Sequence, residues 1–214
     1  PVAVYLPALE EGYTADTLVK NISVTDAHQK EADRINYGIS YELADLPGQM
    51  VTLRTAVEKS LNGVAYMVMD EVGVGSSVPY LEDMRFKNIV PEDYTLSTSL
   101  GGLTYGASPV EMCGAYACIS NGGMFYEPTC ITGITDRYGN EMYEKQQAEM
   151  VYTKLSADTM KDLLSGVMSK GTGSGLGWFS RTDIPAYCKT GTTNDHKDGW
   201  LCGWADNDGD INVM

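Results

Sequence analysis

Helical periods and strand-like runs are kept largely apart along this chain, and that segregation constrains its fold more than any composition figure. Apolar residues recur at helical spacing in Leu53, Ala56 and Val57, and again in Met112, Ala115, Tyr116 and Ile119. Strand-like runs collect toward the end, at 184–188, 199–205 and 211–214. Helices first and strands last fit an α+β domain better than a doubly wound sheet, which would alternate the two.

The local signals sharpen this outline. Residues 1–10 read as the tail of a helix closed at Gly12, and 13–50 as an irregular excursion rich in turn formers. Thr52 caps a helix running to Glu58; Ser60-Leu61-Asn62-Gly63 interrupts it; a second helix spans Val64 to Val72 and stops at Gly73. A short helix from Ser76 or Ser77 passes through Tyr80, Leu81 and Met84. Ser108, Pro109 and Glu111 occupy the N-cap, N1 and N3 positions of the best-defined helix, a capping box with proline where its missing N–H does no harm. Asn121-Gly122-Gly123 ends that helix. Tyr126 to Asp136, turning at Asp136–Asn140 toward Met142–Tyr143, predicts a surface hairpin. Ser156 to Lys170 predicts an amphipathic helix with Met160, Leu163, Leu164 and Val167 inward, and Gly171 to Gly177 a flexible loop. Asp206–Asp210 turns into a last strand. The resulting division is a helical region of about 1–123, a hairpin insertion of about 124–150, and a helix with sheet strands over about 156–214.

Several function classes fall away. The formal charge is −14, from 29 acidic against 15 basic residues, which argues against nucleic acid and against docking to an anionic membrane. No apolar run reaches the roughly 18 residues that a membrane span needs. The five cysteines, 113, 118, 130, 188 and 202, are odd in number and lack metal spacing, so they read as small buried hydrophobes. His28 and His196 stand alone, with no H-E-x-x-H or H-x-H, so no metal and no cofactor is expected. The glycines at 171–177 lack a Walker lysine and a G-x-G-x-x-G register.

One strand carries chemistry that a core strand has no use for. Ile184 to Cys188 is apolar or β-favouring, yet it runs into Lys189-Thr190-Gly191-Thr192-Thr193. Alternation puts Lys189 and Gly191 on one face and Thr190 and Thr192 on the other. Glycine weakens a strand interior unless something must approach the backbone closely. A lysine, two hydroxyls and a bare backbone suit the docking of a carboxylate and a carbonyl along a strand edge. Taken alone, the same residues also describe an exposed edge strand with a solvated lysine.

Two further segments change that reading: Ser60-Leu61-Asn62, an S-x-N between helices, and Leu100 to Gly123 with its S-P-x-E helix and N-G-G stop. With the K-T-G strand, in this order and spacing, they resemble the transpeptidase domain of bifunctional (class A) penicillin-binding proteins over nearly the whole chain. That family's S-x-x-K motif is absent, since no lysine here has serine three positions before it. Its usual continuation, a proline and a helix of the type V-Y-x-x-A-L-E-x-G, matches Pro1 through Gly12. The resemblance therefore implies a fragment of an α+β penicillin-binding/serine β-lactamase-like fold, truncated at both ends. Nucleophilic serine, lysine and the first sheet strands lie upstream, and the isolated piece is expected to be inactive and to fold poorly.

What the resemblance implies for single residues is specific. Ser60 relays a proton between the upstream lysine and the leaving group. Asn62 holds the acyl-side backbone of the substrate. Lys189 biases the field at Ser60 and attracts the terminal carboxylate, which Thr190 and Thr192 hydrogen-bond. The Thr192 N–H is half of an oxyanion hole, and Gly191 leaves room for the substrate. The parent is then an extracytoplasmic, membrane-anchored D,D-transpeptidase acting on peptidoglycan stem peptides and acylated by β-lactam antibiotics. A D,D-carboxypeptidase or β-lactamase-like hydrolase, and a non-catalytic module binding wall peptides or partners, are the alternatives. Each residue also has a plainer assignment. Ser60 and Asn62 would serve as caps of a helix starting at Gly63, Trp200 and Trp204 as core aromatics, and Tyr105 as a groove residue or a surface one.

Overall fold

A computed structural model describes residues 1–22, 48–144, 146–175, 183–192 and 197–207, and the backbone of 210–213. His28, Thr193 and His196 lie outside the described residues. Helix α1 (Tyr5–Glu10) buries Leu6 and Ala8 completely and ends as expected, with Gly12 in the left-handed region at φ 94°. Of the excursion read over 13–50, residues 23–47 lie outside the described residues. Strand β1 (Leu18–Lys20) pairs antiparallel with β2 (Met50–Thr52), Val19 opposite Val51.

Helices α2 (Leu53–Lys59) and α3 (Asn62–Val72) meet at a sharp corner. Thr52 caps α2 by accepting from the Thr55 N–H at 3.2 Å. Two short helices follow, α4 (Val74–Ser77) and α5 (Pro79–Asp83). The next segment is held by Asp93, whose carboxylate accepts from Thr104 N and Oγ1 at 2.7 Å and from Val90 N at 3.0 Å. Burial alone would raise the pKa of this acid, but those bonds outweigh it and leave it lowered. Helix α6 (Pro109–Ser120) carries the expected capping box: Ser108 Oγ accepts from Glu111 N at 3.3 Å, and Glu111 Oε2 accepts from Ser108 N at 2.7 Å.

The predicted hairpin forms only in part. Asp136 holds the turn by accepting from Tyr138 N and Asn140 N, and one bridge joins Thr135 to Glu141. No strand runs from Tyr126 to Asp136, because Ile131 and Ile134 stay about half exposed and find no sheet face to cover. Pairing occurs instead at its base, between β3 (Met124–Phe125) and β4 (Glu149–Met150).

Helix α7 (Lys154–Ser169) is the centre of the packing, with Met160, Leu163, Leu164 and Val167 fully buried. It starts two residues earlier than its periodicity indicates, because Thr153 is the cap and accepts from Ser156 N. It lies on the sheet of β5 (Ala186–Thr192), β6 (Gly199–Asn207) and β7 (Asp210–Val213), antiparallel in that order, while α6 covers β6 and β7. Lys189 faces Cys202 across the ladder, Thr190 faces Leu201 and Gly191 faces Trp200. The chain is therefore α+β, helices packed on an antiparallel sheet. Helix α1 locks to this body through Tyr152, whose buried hydroxyl donates to Val2 O at 2.7 Å and whose ring stacks on Tyr80 at 4.9 Å.

Candidate active site

The corner between α2 and α3 and the strand β5 are 129 residues apart in sequence and meet at one contact: Lys189 Nζ donates to Ser60 Oγ at 2.6 Å. The corner owes its shape to the way α2 ends. Ser60 N donates to Val57 O and Leu61 N to Ala56 O, the paired bonds of a Schellman stop. The left-handed residue of that motif is usually glycine; here it is Ser60, at φ 55° and ψ 49°. A side chain in that conformation costs about 1–2 kcal/mol. The fold carries this cost and in return aims a hydroxyl at Lys189. The capping alternative for Ser60 and Asn62 is not realised, because the N-cap of α3 is Leu61 and Asn62 is its first helical residue. Gly63 is required by close approach: a Cβ there would lie 1.9 Å from Ile22 O.

Strand β5 is less buried than its apolar start suggests. Cys188 is buried, Lys189 and Thr190 are half-buried, and Gly191 and Thr192 are exposed. Among the described residues its second edge is unpaired. Lys189 also donates to Thr190 O at 2.9 Å and has no carboxylate partner among the described residues. Desolvation therefore dominates and brings its ammonium down from 10.5 to about 8. Ser60 Oγ, by accepting from Lys189, keeps its own proton to give to another group.

Gly191 is not demanded by packing. A Cβ there would meet Trp200 Cβ at 3.5 Å, an ordinary contact, and its φ lies outside the left-handed region. Of the two tryptophans expected in the core, Trp204 is there, fully buried and stacked on Tyr187 at 4.8 Å. Trp200 is not; it is 39% exposed, opposite Gly191. Tyr105 is exposed.

The structure adds one residue that sequence motifs do not single out. Of the loop read over 171–177, residues 171–175 form a tied turn and 176–177 lie outside the described residues: Gly171 N donates to Gly166 O, Thr172 N to Glu58 O and Gly173 N to Val167 O. Thr172 Oγ1 then reaches Thr190 Oγ1 at 2.6 Å. The available signal is a hydroxyl residue between glycines, a composition shared with the K-T-G strand, which a test for phosphate-loop spacing does not pick up.

All five cysteines are free; Cys118, Cys188 and Cys202 are buried, as small hydrophobes would be, whereas Cys113 is only partly buried. Burial pushes the Cys118 thiol up to about 12 and that of Cys188 to about 11, which keeps both protonated. Cys130, by contrast, is exposed.

A sequence model of the family described as "Penicillin binding protein transpeptidase domain" matches residues 2–214. Penicillin-binding protein 4 of Bacillus subtilis (strain 168) is 36% identical over 157 residues, 73% of this chain and 25% of that one. Penicillin-binding protein 1A of Clostridium acetobutylicum is 31% identical over 209 residues, 95% of this chain and 25% of its own. The chain thus spans about a quarter of the length of these curated relatives. Penicillin-binding protein A from M. tuberculosis, solved as an imipenem acyl-enzyme complex, superposes with a TM-score of 0.72 at 16% identity, covering 95% of this chain and 49% of that one.

Proposed function

The chain belongs to the penicillin-binding protein transpeptidase family, and on that premise we propose that it supplies the acid–base and carboxylate-binding side of a peptidoglycan D,D-transpeptidase site. The observation that carries this reading is the 2.6 Å contact from Lys189 Nζ to Ser60 Oγ. It joins two motifs far apart in sequence, at a serine held in a costly conformation.

In this reading the nucleophilic serine and its lysine lie on residues upstream of Pro1. The serine hydroxyl attacks the D-Ala–D-Ala carbonyl, the C–N bond breaks, and D-Ala leaves with a proton passed through Ser60. An amine of a second stem peptide then displaces the serine. Asn62 holds the acyl-side backbone; Lys189, Thr190 and Thr192 hold the terminal carboxylate; and Gly191 leaves the strand edge open. The Thr192 N–H is one oxyanion donor, a kind of contact whose loss costs about 3–4 kcal/mol. β-Lactams carry a carboxylate and a carbonyl of the same kind, and the M. tuberculosis protein whose fold this chain shares is solved as an acyl-enzyme with imipenem.

We place the parent outside the cytoplasm with its anchor upstream. Among the described residues no helix is long and apolar enough to cross a membrane. The test is covalent labelling by a fluorescent penicillin, read by intact mass, on this chain and on a version extended upstream through the expected S-x-x-K. A single adduct on the longer version alone is the expected result; absence of an adduct from both overturns the reading. Product analysis with and without an amine acceptor then separates transfer from hydrolysis.

A further inference from the structure

The turn at Gly171–Gly173 is tied to both halves of the site. On one side Thr172 N donates to Glu58 O at 3.1 Å, and Lys59 Nζ donates to Lys170 O at 3.0 Å, so the turn is fastened to the two residues that precede Ser60. A Cβ on Gly171 would lie 2.2 Å from Glu58 O, so the two segments are in direct backbone contact. On the other side Gly173 packs at Cys188, where a Cβ would come to 3.2 Å from the sulfur, and Thr172 Oγ1 meets Thr190 Oγ1 at 2.6 Å. With Lys189 Nζ on Ser60 Oγ, these contacts close a ring: Ser60, Lys189, Thr190, Thr172, Glu58 and back to Ser60.

We propose that Thr172 is a positioning residue for carboxylate recognition, its hydroxyl donating to Thr190 and so committing the Thr190 proton to the substrate carboxylate. The direction follows from valence. A carboxylate only accepts, and Thr190 has one hydroxyl proton to give it. The Thr190 oxygen is then free to accept, and Thr172 is the hydroxyl in reach. Hydrogen bonds in such a chain strengthen one another, most when the terminal acceptor is charged. The inference rests on the reading of Thr190 as a carboxylate ligand.

The test uses the full-length protein and two probes, a fluorescent penicillin with a free carboxylate and its methyl ester. The quantity read is the ratio of their second-order labelling constants. Thr172→Val removes the donor at nearly constant shape and lowers the acid-over-ester ratio roughly fivefold, the worth of one neutral hydrogen bond. Thr172→Ser restores it to within about twofold of wild type. A ratio unchanged in Thr172→Val overturns the inference, as does an equal loss with both probes, which marks a structural role. If Thr172→Val fails to fold by its thermal melt, Thr172→Ala against Thr172→Ser gives the same comparison: a lowered ratio in Thr172→Ala alone supports the inference, and an unchanged ratio or an equal loss overturns it. A wild-type protein that takes up neither probe overturns the transpeptidase reading and this one with it.

Discussion

Lys189 illustrates how one side chain's surroundings set what it can do. It is partly desolvated and bonded to a hydroxyl and a carbonyl, so its ammonium is easier to discharge than a surface lysine. Its charged form is present below about pH 8 and lost above it, where an ordinary lysine holds its proton to 10.5. The second-order labelling constant reports the free protein. We expect that constant, for a carboxylate-bearing penicillin on the whole protein, to fall as pH rises through about 8. The methyl ester should lack that limb, and an acid probe that holds its rate to about two pH units higher would contradict the role given to Lys189. Gly191 gives a second residue-level expectation. Packing leaves room for a methyl group there, so Gly191→Ala should melt at or above the wild-type temperature while losing at least about tenfold in labelling rate. A variant that labels normally would show that the bare strand edge is not used.

At the scale of elements, stability and site geometry separate. The Ser108 cap serves α6, far along the chain from the Ser60 corner. Ser108→Ala should cost about 1 kcal/mol in unfolding while leaving labelling unchanged. Gly171→Ala forces a Cβ against Glu58 O, so it should lower both the melting temperature and the labelling rate, because the turn and the Ser60 corner must move apart. Equal effects on labelling from the two variants would refute this division. Elements whose ends are written locally were legible in the sequence: the Ser108-Pro109-Glu111 start of α6, Thr52 before α2 and the four inward residues of α7. Elements made by distant partners were not. The pairs Val19–Val51 and Phe125–Glu149 are too short to show a period, and the alternation over 126–136 indicated a strand where no second face exists to bury it. Likewise the residues of the site could be named from motifs, but the left-handed turn at Ser60 and the hydroxyl of Thr172 appear only once α2, α7 and β5 are packed together.

For the molecule as a whole, order and type of elements gave the α+β class because helices and strands were segregated, but which element would bring the two motifs together was not written in either motif. Helix α7 packs both on α2 and on β5, and its Met160, Leu163, Leu164 and Val167 are fully buried. The placing of Ser60 against Lys189 is therefore set by a core to which neither residue belongs. Leu163→Ala should cost about 2–5 kcal/mol in unfolding and should also slow labelling of the full-length protein by the penicillin at temperatures where the variant is still folded. Labelling at the wild-type rate by the folded variant would mean that the Ser60–Lys189 contact is held by the hydrogen bonds of the site itself and not by the packing of α7.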